Sequence, residues 1–351
     1  MKNLKIICVC KGNDPRCIGG IETFERVLEK IFGNNILFFV FNTKHEKIFN
    51  SKNIINIQEA KTFKEKLMLK FLGKTKYLEY RVRQERPDIV IVNKPKDLRL
   101  FKNLKTILVQ HTALSEYKSK YLKSKDVIKL IKRSLNYFVF LSENSQKEFY
   151  KELTLDINKT KVIRHCCEVE LLKNKKQKNK KLIIIARLEN NQKRIDLAIK
   201  TMKKLPDFTL EIYGVGPDEE MLNNLIKQEK LEDNVFLKGA TNKIKEKLDE
   251  CSIFIMTSDH EGYPITSIEA MRRGLPIVLR NTFESAQDII EDNGILLEKE
   301  WNEDKFVEAV RKIYDNYEFY SKNAVEMGKR HDFEIIKSYW ENLIIELTKS
   351  K

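Results

Sequence analysis

The chain has 351 residues, too many for one ordinary hydrophobic core, so two domains are expected. Its 42% hydrophobic and 33% charged residues exclude a disordered polymer. No apolar run reaches the roughly 18 residues needed to cross a bilayer. The opening MKNLKIICVCKGNDPR reads as a first buried strand instead of a secretory signal, which points to the cytoplasm.

The net charge of +15 is unevenly placed. Residues 1–150 hold 31 Lys/Arg against 15 Asp/Glu, whereas the remainder holds 35 against 36. Most of the excess lies in residues 60–133, with 21 basic and 7 acidic side chains. A bias towards lysine alone would spread over both halves, so the first half is expected to face a polyanion such as a membrane surface or a phosphorylated carrier.

In chain order, the first half offers the strand candidates LKIICVC, ILFFVF, DIVIV, KTILVQ and NYFVFL. Helical patterns such as IETFERVLEKIF and the segment around DVIKLIKRSL fall between them. Continuous apolar strands alternating with helices predict a parallel sheet covered on both faces. The lysine-rich stretch 173–181 lacks apolar residues and reads as an exposed linker. Beyond it the pattern restarts with KLIIIAR, FTLEIYG, NVFLKG, CSIFIMT, LPIVLR and GILLE. The expected fold class is therefore α/β, with two doubly wound Rossmann-like domains facing a central cleft.

The six cysteines, Cys8, Cys10, Cys17, Cys166, Cys167 and Cys251, show no zinc-ligand spacing. Even the Cys166–Cys167 pair beside His165 reads better as buried thiols, since adjacent cysteines rarely both reach one tetrahedral ion.

In open parallel sheets ligands bind beyond the carboxyl ends of the strands, so candidates are sought there. Gly19 and Gly20 follow the first strand, and His111 follows KTILVQ. Arg187 follows KLIII, Gly214 follows LEIY, and Glu261 follows CSIFIMT. After Glu261, Gly262, Tyr263 and Pro264 form a turn, and a helix is predicted to start near Ile265 or Thr266. Its unpaired N–H groups, with the Thr266 and Ser267 hydroxyls, make an anion site. Glu269, one turn further, suits vicinal hydroxyls of a ribose, because an ionised carboxylate offers only acceptors.

The string S-x-x-E-G-x-P-x-x-x-x-E-A-M-x-x-G-x-P-I-V over residues 258–278 resembles the signature of glycosyltransferase family 4, a retaining group with the GT-B fold. ARLENNQKRIDLAIK, LEIYGVGPDEEMLNNLI, NVFLKG and GGIE resemble further segments of that family in matching order. The resemblance covers nearly the whole chain and is strongest from 181 to 278. It implies an acceptor-side domain over 1–172, to which a helix at about 333–351 crosses back, and a nucleotide-sugar domain over 181–332.

Carried over residue by residue, the resemblance assigns Arg187 and Lys193 to the donor diphosphate, Glu269 to the ribose and Glu261 to the donor sugar. It gives His111 a hydrogen bond to the sugar and lets Gly19 and Gly20 approach the diphosphate, with Glu22 a weaker acceptor-side candidate. Gly214 and Gly216 would allow close backbone approach to the nucleotide. A guanidinium, an ammonium and a helix N-terminus can neutralise a leaving diphosphate, so no metal or other cofactor is expected. The chain departs from the family pattern at Arg164-His165-Cys166-Cys167-Glu168, at Ala186 and at Arg194 after Lys193.

The implied activity is transfer of a hexose, with retention, from a nucleoside diphosphate sugar such as a UDP-sugar to a glycan or lipid-linked oligosaccharide. Bacterial surface polysaccharide synthesis, including capsule and lipopolysaccharide, is the expected setting. The basic stretches 61–86 and 117–136 interleave Leu, Phe and Tyr with Lys and Arg, the pattern of a peripheral element on an anionic inner membrane face. Two rivals use the same residues: a sugar-nucleotide epimerase of GT-B type and a non-enzymatic polyanion binder. No nucleic-acid module is evident, so nucleic acid is not an expected partner.

Overall fold

A computed structural model describes residues 4–17, 19–41, 47–60 and 62–349. Lys61, in the first basic stretch, and residues 350 and 351, at the end of the returning helix, lie outside the described residues. The chain divides into two compact units, Met1–Cys166 with Ile336–Lys351, and Cys167–Ile335.

The first unit is built on a parallel seven-stranded sheet. Its strands are β1 (Ile6–Lys11), β2 (Ile36–Phe41), β3 (Ile54–Asn56), β4 (Ile89–Val92), β5 (Lys105–Val109), β6 (Tyr137–Phe140) and β7 (Thr160–Val162). They run in the order β3-β2-β1-β4-β5-β6-β7. The predicted apolar runs form five of these strands. IIN and TKV at the two edges escape the pattern, because three residues beside an open edge need no continuous apolar run. Helix Gly20–Phe32 covers one face with Phe24, Val27, Leu28 and Ile31. The interior strand residues are almost wholly buried, each aliphatic side chain contributing about 1.5–3 kcal/mol against its exposed state.

The last helix, Phe333–Lys349, gives its residues from Ile336 onward to this unit. Trp340 is buried with its ring 5.8 Å from that of Phe24. Near the helix C-terminus, Lys105 Nζ donates to the Leu347 carbonyl at 2.6 Å, satisfying an oxygen that the helix leaves unpaired.

The second unit carries β8 (Lys181–Ile185), β9 (Thr209–Tyr213), β10 (Val235–Leu237), β11 (Ile253–Met256), β12 (Ile277–Arg280) and β13 (Gly294–Leu297). All are parallel, in the order β10-β9-β8-β11-β12-β13. The six predicted apolar runs of the second half are these six strands.

The stretch expected to be a linker is placed differently. The division falls between Cys166 and Cys167, and residues 173–181 belong to the second unit. Two buried arginines at the end of helix Ile265–Arg272 fasten the approach to this stretch. Arg273 donates to the Glu170 carbonyl at 2.8 Å and pairs with both carboxylate oxygens of Asp249. The Arg272 carbonyl accepts from Leu172 N at 2.8 Å. Lys176 then hydrogen-bonds the Leu248 carbonyl, and burial pulls its amine down to about 8. Residues 173–175 are exposed, yet the Lys176 head group and the arginine-held segment before it tie the stretch to the second unit.

Candidate functional site

In the second sheet the chain moves from β8 outward to β9 and β10, then returns to β11 on the opposite side of β8. The β8–β11 junction is thus the switch point where a doubly wound sheet leaves a crevice. A small cavity lies there, lined by Ala186, Lys193, Thr257, Ser258 and Thr266 among others.

Lys193 ends the short helix Asn190–Lys193, which stops because Arg194 turns left-handed at φ 48°. Its ammonium lies 2.5 Å from Glu261 Oε1, with both side chains largely buried. Three further bonds stitch the loop after β8 to the loop after β11. Thr257 Oγ1 donates to the Lys193 carbonyl at 2.8 Å, Gln192 Nε2 to the His260 carbonyl at 3.0 Å, and Asp259 N to the Gln192 carbonyl at 2.8 Å. The Lys193–Glu261 pair is therefore held by backbone on both sides.

The turn Gly262-Tyr263-Pro264 leads into helix Ile265–Arg272. Ser285 Oγ donates to the Gly262 carbonyl at 2.6 Å and fixes the turn. Pro264 caps the helix without a side-chain hydrogen bond, and Thr266 in the first turn reaches the cavity. One turn on, Glu269 Oε2 is buried and has no hydrogen-bond partner. Burial alone raises this carboxyl to about 7. Keeping an acceptor dry and unpaired costs about 1–3 kcal/mol, which a ligand hydroxyl would offset.

Several expected roles change once the side chains are placed. Ser267 does not offer its hydroxyl outward: the residue is fully buried and Oγ donates to the Pro264 carbonyl at 2.6 Å. Tyr263 is also turned inward, its hydroxyl 3.3 Å from His331 Nε2, so only its backbone is left for a ligand. Gly214 is required by a protein neighbour. At φ 146°, a Cβ there would stand 1.8 Å from the Ala186 carbonyl oxygen, because the loops after β8 and β9 touch backbone to backbone. Gly216 meets Leu188 in the same way, at 2.3 Å from its oxygen. Arg187 points into solvent, 67% exposed, and pairs with Glu189 at 3.3 Å, outside the Lys193–Glu261 grouping.

Asp259 and Arg280 escaped the sequence reasoning. Arg280, at the end of β12, is buried. It donates to Asp259 Oδ1 at 2.7 Å, to the Thr257 carbonyl at 2.8 Å and to the Lys299 carbonyl at 2.7 Å. Arg194 approaches the other oxygen of Asp259 at 3.6 Å. The two arginines anchor the segment that carries Glu261. A charged residue closing an apolar strand was the available signal, since a buried guanidinium demands acceptors.

Gly19, Gly20 and His111 belong to the first unit. Gly19 is the N-cap of helix Gly20–Phe32, and Glu22 folds back over it, so a Cβ on Gly19 would meet Glu22 Oε2 at 2.0 Å. His111 follows β5 and packs edge-on against Phe24, with ring centroids 4.8 Å apart. Its Nε2 lies 3.1 Å from Asn93 Oδ1, while Nδ1 is buried without a partner. Burial, and the nearby His165, hold His111 well below the ordinary histidine pKa. All six cysteines are buried. Among the described residues one group, Cys8, Cys10 and Glu25, brings metal-ligand atoms together, well away in sequence from the Cys166–Cys167 pair.

Residues 171–331 match the family model described as "Glycosyl transferases group 1". Among curated proteins, an uncharacterized glycosyltransferase of Haemophilus influenzae is 33% identical over 185 residues, 50% of this chain and 52% of that protein. The O-antigen biosynthesis glycosyltransferase WbnH of Escherichia coli is 30% identical over 172 residues, 49% of this chain and 48% of that protein. The matches thus span about half the length of these curated relatives. Among solved structures, HepE of Anabaena in complex with UDP has a TM-score of 0.80 at 18% identity, covering 98% of this chain and 100% of that one. The pneumococcal O-GlcNAc transferase GtfA, in complex with UDP and GlcNAc, has a TM-score of 0.77 at 12% identity, covering 100% of both chains. At such identities the likeness speaks for the fold. The chain has the GT-B fold, two parallel-sheet α/β units, the second of which contains the segment similar to group 1 glycosyl transferases.

Proposed function

We propose that this protein is a glycosyltransferase that moves a hexose from a nucleoside diphosphate sugar, a UDP-sugar, to a glycan. What carries the reading is one grouping at the β8–β11 switch point: the Lys193–Glu261 pair, the start of helix Ile265–Arg272 and the unpartnered carboxyl of Glu269. A ribose with two adjacent hydroxyls gives Glu269 the donors it lacks. The diphosphate, which gains a negative charge as the glycosidic bond breaks, takes the Lys193 ammonium and the free N–H groups of the helix start. Glu261, released from Lys193, then accepts from sugar hydroxyls, and Arg187 swings in from solvent. These charges belong to the protein, so transfer proceeds without a metal ion. The UDP held by HepE and GtfA supports the choice of nucleotide.

Retention of configuration follows from the resemblance to glycosyltransferase family 4: the acceptor attacks on the face the diphosphate leaves, and the diphosphate takes its proton. The acceptor is a lipid-linked glycan of a surface polysaccharide pathway, in keeping with relatives such as WbnH and the poly(ribitol-phosphate) alpha-N-acetylglucosaminyltransferase of Staphylococcus aureus. No described helix is long and apolar enough to cross a membrane. The part of helix Phe63–Gln84 before its break at Gly73, however, leaves Phe63 82% and Phe71 77% exposed, with Leu67 between them and Lys64, Lys66 and Lys70 on the same segment. Those aromatics enter the headgroup region of an anionic cytoplasmic leaflet while the lysines meet its phosphates.

Calorimetric titration with UDP and a panel of nucleotide sugars in EDTA tests the site. Binding of UDP and one UDP-sugar by the wild type, weakened at least tenfold in Glu269→Ala, supports it. No nucleotide bound by a folded protein refutes it. Anomeric analysis of the product decides retention. Flotation with phosphatidylglycerol vesicles, reduced by Phe63→Ser with Phe71→Ser, decides the membrane contact.

A further inference from the structure

The switch point of the first sheet lies between β1 and β4, and a buried carboxyl fills it. Glu25, on the helix after β1, is fully buried. Its Oε1 accepts from Asn13 Nδ2 in the loop after β1 and from Asn93 Nδ2 in the loop after β4, the latter at 3.1 Å. Because the Asn93 amide nitrogen is committed to Glu25, its Oδ1 is the atom turned to His111, 3.1 Å from Nε2. An amide oxygen only accepts, so the proton of a neutral imidazole must sit on Nε2 and the lone pair on Nδ1. That Nδ1 is buried and has no donor among the described residues.

We propose that Glu25 and Asn93 are positioning residues that fix His111 as the Nε2–H tautomer, so that its Nδ1 is a hydrogen-bond acceptor for a donor hydroxyl brought by a ligand. The second half of the statement rests on the glycosyl-transfer reading; the first does not. Against the ring lie Phe24 from helix Gly20–Phe32, Asn93 after β4 and His165, whose ring is 6.0 Å away in a stacked orientation, and Glu25 reaches it only through Asn93. None supplies a fixed negative charge in contact with the imidazole. Burial raises the Glu25 carboxyl to about 8 and lowers His165 to about 4, so both are neutral at pH 7. With its Nε2–H given to Asn93, the imidazole offers a ligand the Nδ1 lone pair, and acceptance is its open polar role.

The test is long-range ¹H–¹⁵N correlation spectroscopy of the five histidines in the free protein, with His111 assigned by its loss in His111→Gln. The expected result is the Nε2–H pattern, unchanged from pH 6 to pH 8. In Asn93→Ala the signals should average towards a tautomer mixture. In Asn93→Asp the carboxylate should keep the proton on Nε2 but make the ring protonate at a pH at least one unit higher. Glu25→Gln, which keeps the acceptor oxygen, should leave the tautomer as in wild type. Should Asn93→Ala not fold, the Asn93→Asp and Glu25→Gln spectra still decide. A protonated or Nδ1–H His111 in wild type, or an Asn93→Asp spectrum identical to wild type, overturns the proposal. The kinetic arm uses UDP-glucose: Asn93→Ala should lower kcat/KM about tenfold while the affinity for UDP alone stays within twofold. Equal loss in both would mean general disorder and count against positioning. If no nucleotide binds at all, the tautomer result stands and only the ligand assignment falls.

Discussion

The two units, one of seven strands and one of six, are wired alike around their central strands and differ in what fills the junction there. In both, the chain winds outward from a central strand and then returns to its other side, so β1–β4 and β8–β11 are equivalent junctions. In the first unit a 13-residue helix follows the loop after β1, and its Glu25 enters the junction, tied to Asn13 and Asn93. In the second, the helix after β8 is only four residues long and ends at a left-handed Arg194. Lys193 therefore comes in from the side and a cavity remains. The same topology thus yields a plugged junction or an open one according to what the following helix inserts. Both junctions have buried acceptor atoms nearby without a donor among the described residues, His111 Nδ1 and Glu25 Oε2 in the first unit and Glu269 Oε2 in the second.

The comparison is broken most violently at its glycines. Gly214→Ala places a Cβ 1.8 Å from a carbonyl oxygen at a φ that side chains avoid, and should cost more than about 4 kcal/mol or abolish folding. Gly12→Ala, after β1, meets nothing nearer than Lys94 Nζ at 3.7 Å, so only its φ of +89° counts, about 1–2 kcal/mol. Urea melts of the two variants would read the difference; equal losses would contradict the backbone-contact argument.

Next comes the Asp259–Arg280 anchor. Asp259→Ala strips a buried guanidinium of its carboxylate and should destabilise by about 3 kcal/mol, weakening UDP binding as well because the segment bearing Glu261 loosens. A melting temperature within a degree of wild type would show the anchor to be ornamental.

The two buried carboxyls sharpen the comparison through pH. Both have raised pKa values, so the native state keeps a proton that the unfolded chain has lost, and stability falls as pH rises above the unfolded carboxyl range. For Glu269 the fall runs from about 4.5 to about 7, and for Glu25 from about 4.5 to about 8. Glu269→Gln should therefore gain up to about 3 kcal/mol at pH 8 and nothing at pH 4. Glu25→Gln should remove the slope that remains between pH 7 and pH 8. A stability gain of each glutamine variant over the wild type that fails to grow with pH through this window would disprove both assignments; taking the difference cancels the opposite slope from the buried His111 and His165. The smallest effect belongs to Arg187→Ala, which should leave stability within about 0.5 kcal/mol, its side chain being 67% exposed, while reducing affinity for the diphosphate.

Eleven apolar runs in the sequence correspond to eleven strands, because strands buried on both faces cannot be written in any other residues. The start of helix Ile265–Arg272 was legible from Gly262 and Pro264 for an equally local reason, since a turn and a fixed φ are properties of single residues. Glu261 was picked out by strand-end position and Lys193, 68 positions away, by the family resemblance, and the structure pairs them. Side-chain direction was not legible. Ser267 and Tyr263 sit in the right turn but point into the core, and Arg187 follows the right strand but points into solvent. Nor was the reason for Gly214, which depends on a carbonyl of another loop.

The sequence by itself determined two parallel sheets and the strand ends at which candidate residues gather, because burial of alternating strands and helices is a local pattern repeated along the chain. Only the tertiary structure decided which junction stays open, which carboxyl is left without donors, and that Asp259, Arg280, Glu25 and Asn93 matter. A lone charged or amide group acquires its role from partners tens of residues away. What such a group costs or contributes depends on whether folding brings it an acceptor, a donor or neither.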